Sequence, residues 1–228
     1  MVIELSDQTF TNQADKVPVS GVQKIVNTDI TNTLAGDDVI IGIADEVGLV
    51  NYGSLNTDDG NDTITGNSNK DHIGINNASG ASIKTGDGHD IITCNGDLKN
   101  ASGASIKTGD GFDIITCTGV IKNEGLIGTG DGNDALYAYR GFKGSGSVDL
   151  GNGDDYILSS GECDLSGGRG HDLLELTSGT YKIGRSGRTV TFAKGNQLTI
   201  TSEFETFIAG GITYDFSSLK AGQVITIA

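Results

Sequence analysis

The 228-residue sequence contains one proline, one methionine, no tryptophan, and 15 basic residues against 30 acidic ones. The shortage of proline, set beside 36 glycines and 36% apolar residues, argues against a flexible low-complexity linker and implies many tight turns between ordered segments. The shortage of basic residues leaves a formal charge of −15 and an isoelectric point near 4.3. Nucleic acid and anionic membrane surfaces are therefore not expected as partners, and cations are. Cys94, Cys117 and Cys163 are an odd number without CxxC spacing, which indicates neither a disulfide framework nor a zinc site. No run of 18 apolar residues occurs, so no transmembrane helix and no membrane insertion are expected. The opening MVIELSDQTFTNQADK has neither a basic n-region nor an apolar h-region, so a cleaved amino-terminal secretory signal is not expected and export would need another route.

What is abundant is repetition. Residues 77–96 read NASGASIKTGDGHDIITCNG and residues 100–119 read NASGASIKTGDGFDIITCTG, an offset of 23 with two differences. A period of that size, with a Gly-Asp-Gly corner between apolar runs, predicts a stacked solenoid and an all-β fold. The unit recurs between about 31 and 176 as Gly-x-Asp followed two residues later by Ile or Leu. The anchors are Asp38, Asp62, Asp71, Asp90, Asp113, Asp134, Asp155 and Asp172, with Asn69 in place of the glycine before Asp71. Ile83, Ile106, Ile127, Val148 and Leu165 precede the better corners by three residues, so a unit reads as a strand, a Gly-rich corner and a second strand.

Period-2 alternation beyond the corner predicts one inward face for Ile75, Cys94, Cys117, Ala138, Ser159 and Leu176. Cys94 and Cys117 read either as stacked core thiols or as a disulfide between adjacent strands. The outward residue after each motif Asp is apolar in Val39, Ile91, Ile114, Tyr156 and Leu173, a stripe that forms an interface or lies under a cap. Residues 1–30, with Pro18, Val19 and Val22, read as short strands capping the solenoid. Residues 177–228 read as a β-rich cap built from a meander or hairpins.

The anchor spacing predicts coils of two half-coils, each of about nine residues. Asp71, Asp90, Asp113, Asp134, Asp155 and Asp172 then share one edge and Asp62 falls on the opposite one. A second acid precedes several anchors, namely Asp87, Asp110 and Asp131, with Asp59 comparable. At about 5 Å between coils and an effective dielectric of ~20, each adjacent pair of like charges costs ~3 kcal/mol. Several such pairs rival the net stability of a domain, roughly 5–15 kcal/mol. Ca2+ ions between successive corners would neutralise the row, using one carboxylate per coil and turn carbonyls left unshielded by glycine.

The segments TGDGHDIIT (85–93), TGDGFDIIT (108–116), TGDGNDALY (129–137), LGNGDDYIL (150–158) and SGGRGHDLLEL (166–176) resemble the nonapeptide G-G-x-G-x-D-x-U-x of RTX, or haemolysin-type calcium-binding, proteins. The resemblance implies a right-handed parallel β-roll binding several Ca2+ ions. Carried over by position, the metal set is Asp62, Asp71, Asp87, Gly88, Asp90, Asp110, Gly111, Asp113, Asp131, Gly132, Asp134, Gly153, Asp155, Gly170 and Asp172. Asp38 departs from the pattern because Leu34-Ala35-Gly36 replaces Gly-x-Gly. The motif recurs once per roughly 21 residues where the family has one per nine. Phe204-Glu205, TYDFSSL and an uncharged apolar terminus resemble the uncleaved carboxy-terminal signal of type I-secreted RTX proteins, implying secretion to the cell surface or exterior.

Neither H-E-x-x-H nor G-x-S-x-G occurs, and His89 and His171 occupy the free position of the motif. The favoured expectation is a non-enzymatic structural or adhesive module that engages a surface or matrix polysaccharide, or itself. The alternatives are an accessory module of a secreted enzyme or a carbohydrate-active β-helix enzyme such as a lyase or epimerase. Tyr137, Tyr139 and Arg140 are the only concentrated residues for such catalysis, with no carboxylate beside them outside the corners. An ice-binding face would need regular Thr ladders, and Thr93 and Thr116 give way to Tyr137 and Leu158.

Overall fold

A computed structural model describes residues 1–17, 23–70 and 72–228. The expectations for Pro18, Val19, Val22 and Asp71 lie outside the described residues. The chain winds into a β-solenoid of about seven turns, 59% strand. Its walls are a seven-stranded, an eleven-stranded and a ten-stranded sheet, here the first, second and third.

Each complete coil visits the sheets in that order. In the duplicated region one coil runs through Ile73–Asn77, Ser82–Asp87 and Ile91–Asn95, and the next through Asp97–Asn100, Ser105–Asp110 and Ile114–Cys117. The expected two-strand unit is therefore a three-strand coil with three corners. The edge opposite the Gly-Asp corner divides in two, a Gly96 corner from third to first sheet and an Asn-Ala-Ser-Gly corner from first to second. The first-sheet strand escapes a period-2 reading because it is short and polar-ended, Asp97-Leu98-Lys99-Asn100 with one large apolar side chain inside.

Register follows sequence identity. Ile83 lies beside Leu55 and Ile106, Ile106 beside Ile127, and Val148 beside Leu165, and all are buried. In the third sheet Ile64, Ile92, Ile115 and Leu136 stack in the same way, each fully buried. At about 25 cal/mol per Å2 of apolar area, a buried Ile or Leu contributes ~1.5–3 kcal/mol, so the columns of identical residues hold the coils together. Cys94, Cys117 and Ala138 share the inward face, with Ser159 and Leu176 buried further along. Ile75 is buried but stacks between Leu49 and Leu98 in the first sheet, and Gly66 takes the third-sheet position beside Cys94. All three thiols are free, and the Sγ atoms of Cys94 and Cys117 both donate to the Gly96 carbonyl.

The first sheet begins at Val2–Glu4, which pairs in parallel with Lys24–Asn27, and Lys16–Val17 pairs with Val39 and Ile40 in the third. A short 3-10 turn, Leu5–Asp7, places Leu5 over the open end of the core, where it is fully buried. At the other end an antiparallel meander of Gly179–Ser186, Thr189–Lys194 and Gln197–Ser202 returns its last strand parallel to Cys163–Arg169. The hairpin Thr206–Ala209 with Ile212–Asp215 extends the third sheet. Phe192, Phe204, Phe207 and Phe216 close this end, with ring centroids 5.0–6.2 Å apart. Of the apolar stripe of the third sheet, Ile91 and Ile114 are 40% and 39% exposed, whereas Val39, Tyr156 and Leu173 are half-buried.

Candidate functional site

Backbone crowding fixes the Gly-Asp corner first. The two glycines of each motif take positive φ, as at Gly86 (111°) and Gly88 (145°). A Cβ on Gly111 would stand 1.5 Å from the Gly88 carbonyl oxygen, and one on Gly88 would stand 1.8 Å from that of Gly60. Glycine is thus needed for φ and for the close approach of the coils. Leu34 and Asp58 hold the first-glycine position in the left-handed region, at 68° and 62°. This is how LAGDD and TDDGND form the same corner without the consensus glycine.

The corner turns the motif aspartate inward, and successive aspartates make a continuous ladder. The N–H of Asp38 donates to Asp62 Oδ1 (2.8 Å), Asp62 to Asp90 (2.7 Å), Asp90 to Asp113 (2.9 Å) and Asp113 to Asp134 (2.8 Å). Asp134 donates to Asp155 (2.7 Å) and Asp155 to Asp172 (3.0 Å). Asp15 begins the series by donating to Asp38 Oδ1, and Glu205 ends it by accepting from the Asp172 N–H. Asp62 therefore stands in the ladder between Asp38 and Asp90, not on the opposite edge. Nine-residue spacing to Asp71 misplaced it, because the coil from Asp62 to Asp90 is 28 residues long. The sequence reading also missed Asp15 and Glu205. Their signal is positional, each standing immediately before a third-sheet strand, at Lys16 and Thr206.

The ladder satisfies only half of each carboxylate. The Oδ2 atoms of Asp38, Asp62, Asp90, Asp113, Asp134, Asp155 and Asp172 are buried without a hydrogen-bond partner among the described residues. Thr57, Thr85, Thr108 and Thr129 stand beside the ladder, but each hydroxyl gives its one proton to a carbonyl of the next coil, those of Thr85, Thr108, Thr129 and Leu150. Burial accordingly pushes these carboxyls up, only partly offset by the N–H that each accepts. Asp62 and Asp155 rise to about 7 and Asp113 and Asp172 to about 6. Asp38, Asp90 and Asp134 are raised in the same direction.

Asp87, Asp110 and Asp131 behave differently. They end the second-sheet strands in register with one another and with Asn152, exposed to solvent. They remain close enough for Asp87 to raise Asp90 and for Asp131 to raise Asp134. The free motif position forms an outer polar row, in which the N–H of His89 donates to Asn61 Oδ1 and that of His171 to Asp154 Oδ1. Among the described residues no three His, Cys, Asp or Glu side chains converge on one point. An ion at this edge would therefore draw on backbone carbonyls as well, those of Gly88, Gly111, Gly132, Gly153 and Gly170 being in the right row.

A second ladder, absent from the sequence reading, runs up the Asn corner. Asn27 Nδ2 donates to Asn51 Oδ1, Asn51 to Asn77, Asn77 to Asn100 and Asn100 to Asn123, at 2.7–2.9 Å. The second amide proton of Asn51, Asn77, Asn100 and Asn123 goes to the carbonyl of Ser82, Ser105, Leu126 or Ser147. An amide can donate and accept, so this buried row is satisfied and neutral. A carboxylate only accepts, so the Asp row is neither.

On the outer face of the third sheet, Tyr137 stacks with Tyr139 at 6.0 Å and approaches Tyr156 at 5.4 Å. The Tyr156 hydroxyl donates to Glu175 (2.7 Å), so a carboxylate does stand beside this cluster, contrary to expectation. Burial and Glu175 push the Tyr156 phenol up, the wrong direction for a base. No family model matches the sequence, and a search of curated proteins finds no match.

Proposed function

We propose that this chain is a calcium-binding structural roll of the RTX type, exported from the cell and ordered there by the ion, acting as a surface or matrix module and not as an enzyme. The observation that supports this reading is the row of seven buried carboxylates, each with one oxygen unpartnered. The comparison between corners sharpens it. At one corner the chain stacks neutral asparagines that satisfy one another; at another, in the same solenoid, it stacks aspartates. Asparagine could accept the same N–H there, and its amide could donate to the neighbouring threonine oxygen. The negative charge is then the reason for aspartate, and a cation is its counterpart.

Oxygen-only donors suit a hard ion, and the uneven coils, 21 to 28 residues from Asp62 to Asp155, suit the tolerant geometry of Ca2+ over the strict octahedron of Mg2+. Asp62, Asp90, Asp113, Asp134, Asp155 and Asp172 would hold the ions through Oδ2, with the corner carbonyls completing the shell. Asp38 shares their environment. Bound calcium would supply the positive charge that lets the carboxylates remain ionised inside the fold, and its binding free energy would add to folding free energy.

Circular dichroism and urea unfolding at pH 7.5, in EDTA and in millimolar Ca2+, test the proposal. The expected result is a weaker β spectrum in EDTA and a higher urea midpoint with Ca2+. Identical spectra and midpoints in both would refute it. No turnover of alginate- or pectin-like polymers is expected, and turnover abolished in Tyr156→Phe would favour the enzymatic reading.

A further inference from the structure

The acidic edge reverses sign at its last coil. The exposed row that reads Asp110, Asp131 and Asn152 continues, in register, to Arg169. Here the corner faces the carboxy-terminal cap across an open cleft of about 880 Å3, within the ~300–1,000 Å3 range of small-molecule sites. Three of the chain's four arginines, Arg169, Arg185 and Arg188, line it, in a protein of net charge −15.

Three acids share the lining, Glu203, Glu205 and Asp215, and each keeps its charge while accepting a hydrogen bond from a neutral donor, whereas two of the guanidinium groups have no partner among the described residues. Glu203 accepts from the Ser166 hydroxyl, Glu205 from the Asp172 N–H, and Asp215 from the Ser217 N–H. Arg185 Nη1 donates to the carbonyls of Phe216 and Leu219, bracing the cap. Arg169 and Arg188 are exposed, and among the described residues their side chains make no ion pair or hydrogen bond. Two free planar forks form a recognition element for a carboxylate or a sulfate. Beside them, Tyr214 is half-buried against Phe207 with centroids 5.6 Å apart, and Phe204 and Phe216 make an apolar floor. Thr206, Thr213 and Ser217 add hydroxyls to the lining.

We propose that this cleft binds a carboxylate-bearing saccharide, a uronate unit of an acidic glycan. Arg169 and Arg188 take the carboxylate, and the Tyr214 ring meets a sugar face. A free inorganic anion would use the forks but gain nothing from the aromatic wall, and a neutral sugar would leave the forks unpaired. The site is independent of the calcium reading, because none of its binding groups is a proposed metal ligand.

The test is isothermal titration calorimetry of the folded full chain, with and without Ca2+, using trigalacturonate, its carboxyl-reduced trisaccharide and sodium sulfate. The expected Kd for trigalacturonate is below ~1 mM, weakened at least ~10-fold in Arg169→Gln/Arg188→Gln, where two charge-assisted hydrogen-bonding groups are lost. Tyr214→Ala should weaken trigalacturonate and leave any sulfate binding unchanged. Both variants alter exposed or half-buried side chains, and circular dichroism confirms their fold. Three outcomes overturn the proposal: no binding of trigalacturonate at 10-fold above that concentration, equal binding of the carboxyl-reduced sugar, or sulfate binding as tightly as trigalacturonate. Identical spectra and urea midpoints in EDTA and Ca2+, with trigalacturonate still bound, would refute the metal reading alone.

Discussion

Without metal, this protein should become more stable as the solution is acidified from pH 7.5 to about 4.5, the reverse of ordinary acid denaturation. A carboxyl raised in the folded state binds its proton more tightly there than in the unfolded chain, so its stabilising contribution is complete below its unfolded value and is lost as pH rises through the folded value. For Asp113 the interval runs from 3.8 to about 6, and for Asp62 and Asp155 from 3.8 to about 7. At 1.36 kcal/mol per pH unit the Asp113 interval corresponds to ~3 kcal/mol, or ~1.5 after a discount for solvent screening. The rungs are coupled through their shared hydrogen bonds, so the contributions are not summed. Asp97, which Lys122 holds below its ordinary value against the cost of burial, loses stability only below the unfolded value of 3.8 and does not mask the effect. The assay is the urea midpoint in EDTA across this pH range, for the parent and for Asp113→Asn. The amide should raise the midpoint at pH 7.5, flatten its pH dependence, and reduce the increment gained from calcium. A parent midpoint that falls steadily with acidification, or an Asp113→Asn chain destabilised at pH 7.5 without metal, would refute the reasoning.

Two further predictions concern the scaffold. Gly111→Ala, with φ at 151° and a new Cβ 1.5 Å from a backbone oxygen, should cost more than ~3 kcal/mol, whereas Gly80→Ala, with φ at 74° and open space around it, should cost ~1 kcal/mol; comparable urea midpoints for the two would contradict the crowding argument. Asn100→Ala removes one member of the asparagine ladder and leaves the amide of Asn77 and the carbonyl of Leu126 unpaired, for an expected loss of ~2–4 kcal/mol by chemical denaturation.

The solenoid is legible from Ile83, Ile106 and Ile127 because identical side chains at a repeating interval can only stack. The corner is legible because glycine and aspartate together mark it. The first sheet is not, since Asp97-Leu98-Lys99-Asn100 carries too few inward residues to show alternation, and its buried Asn100 looks like a turn residue. Only three-dimensional stacking reveals that Asn27, Asn51, Asn77, Asn100 and Asn123 are one column. The displacement of Asp62 has the same origin, because coil length varies at corners whose sequence is unconstrained. Asp15 and Glu205 belong to the ladder through their position before a strand, and no glycine motif surrounds either of them.

The direct measurement of the central claim is the number of Ca2+ ions bound per chain at pH 6, where carboxyls raised to about 6 to 7 still carry protons, by calorimetry on chelator-stripped protein in two buffers of different ionisation enthalpy. If ions complete the buried Oδ2 row, several bind per chain, binding releases protons from the raised carboxyls, and affinity falls as pH is lowered. Absence of binding at millimolar Ca2+, or binding without proton release, would mean that protons alone satisfy the ladder.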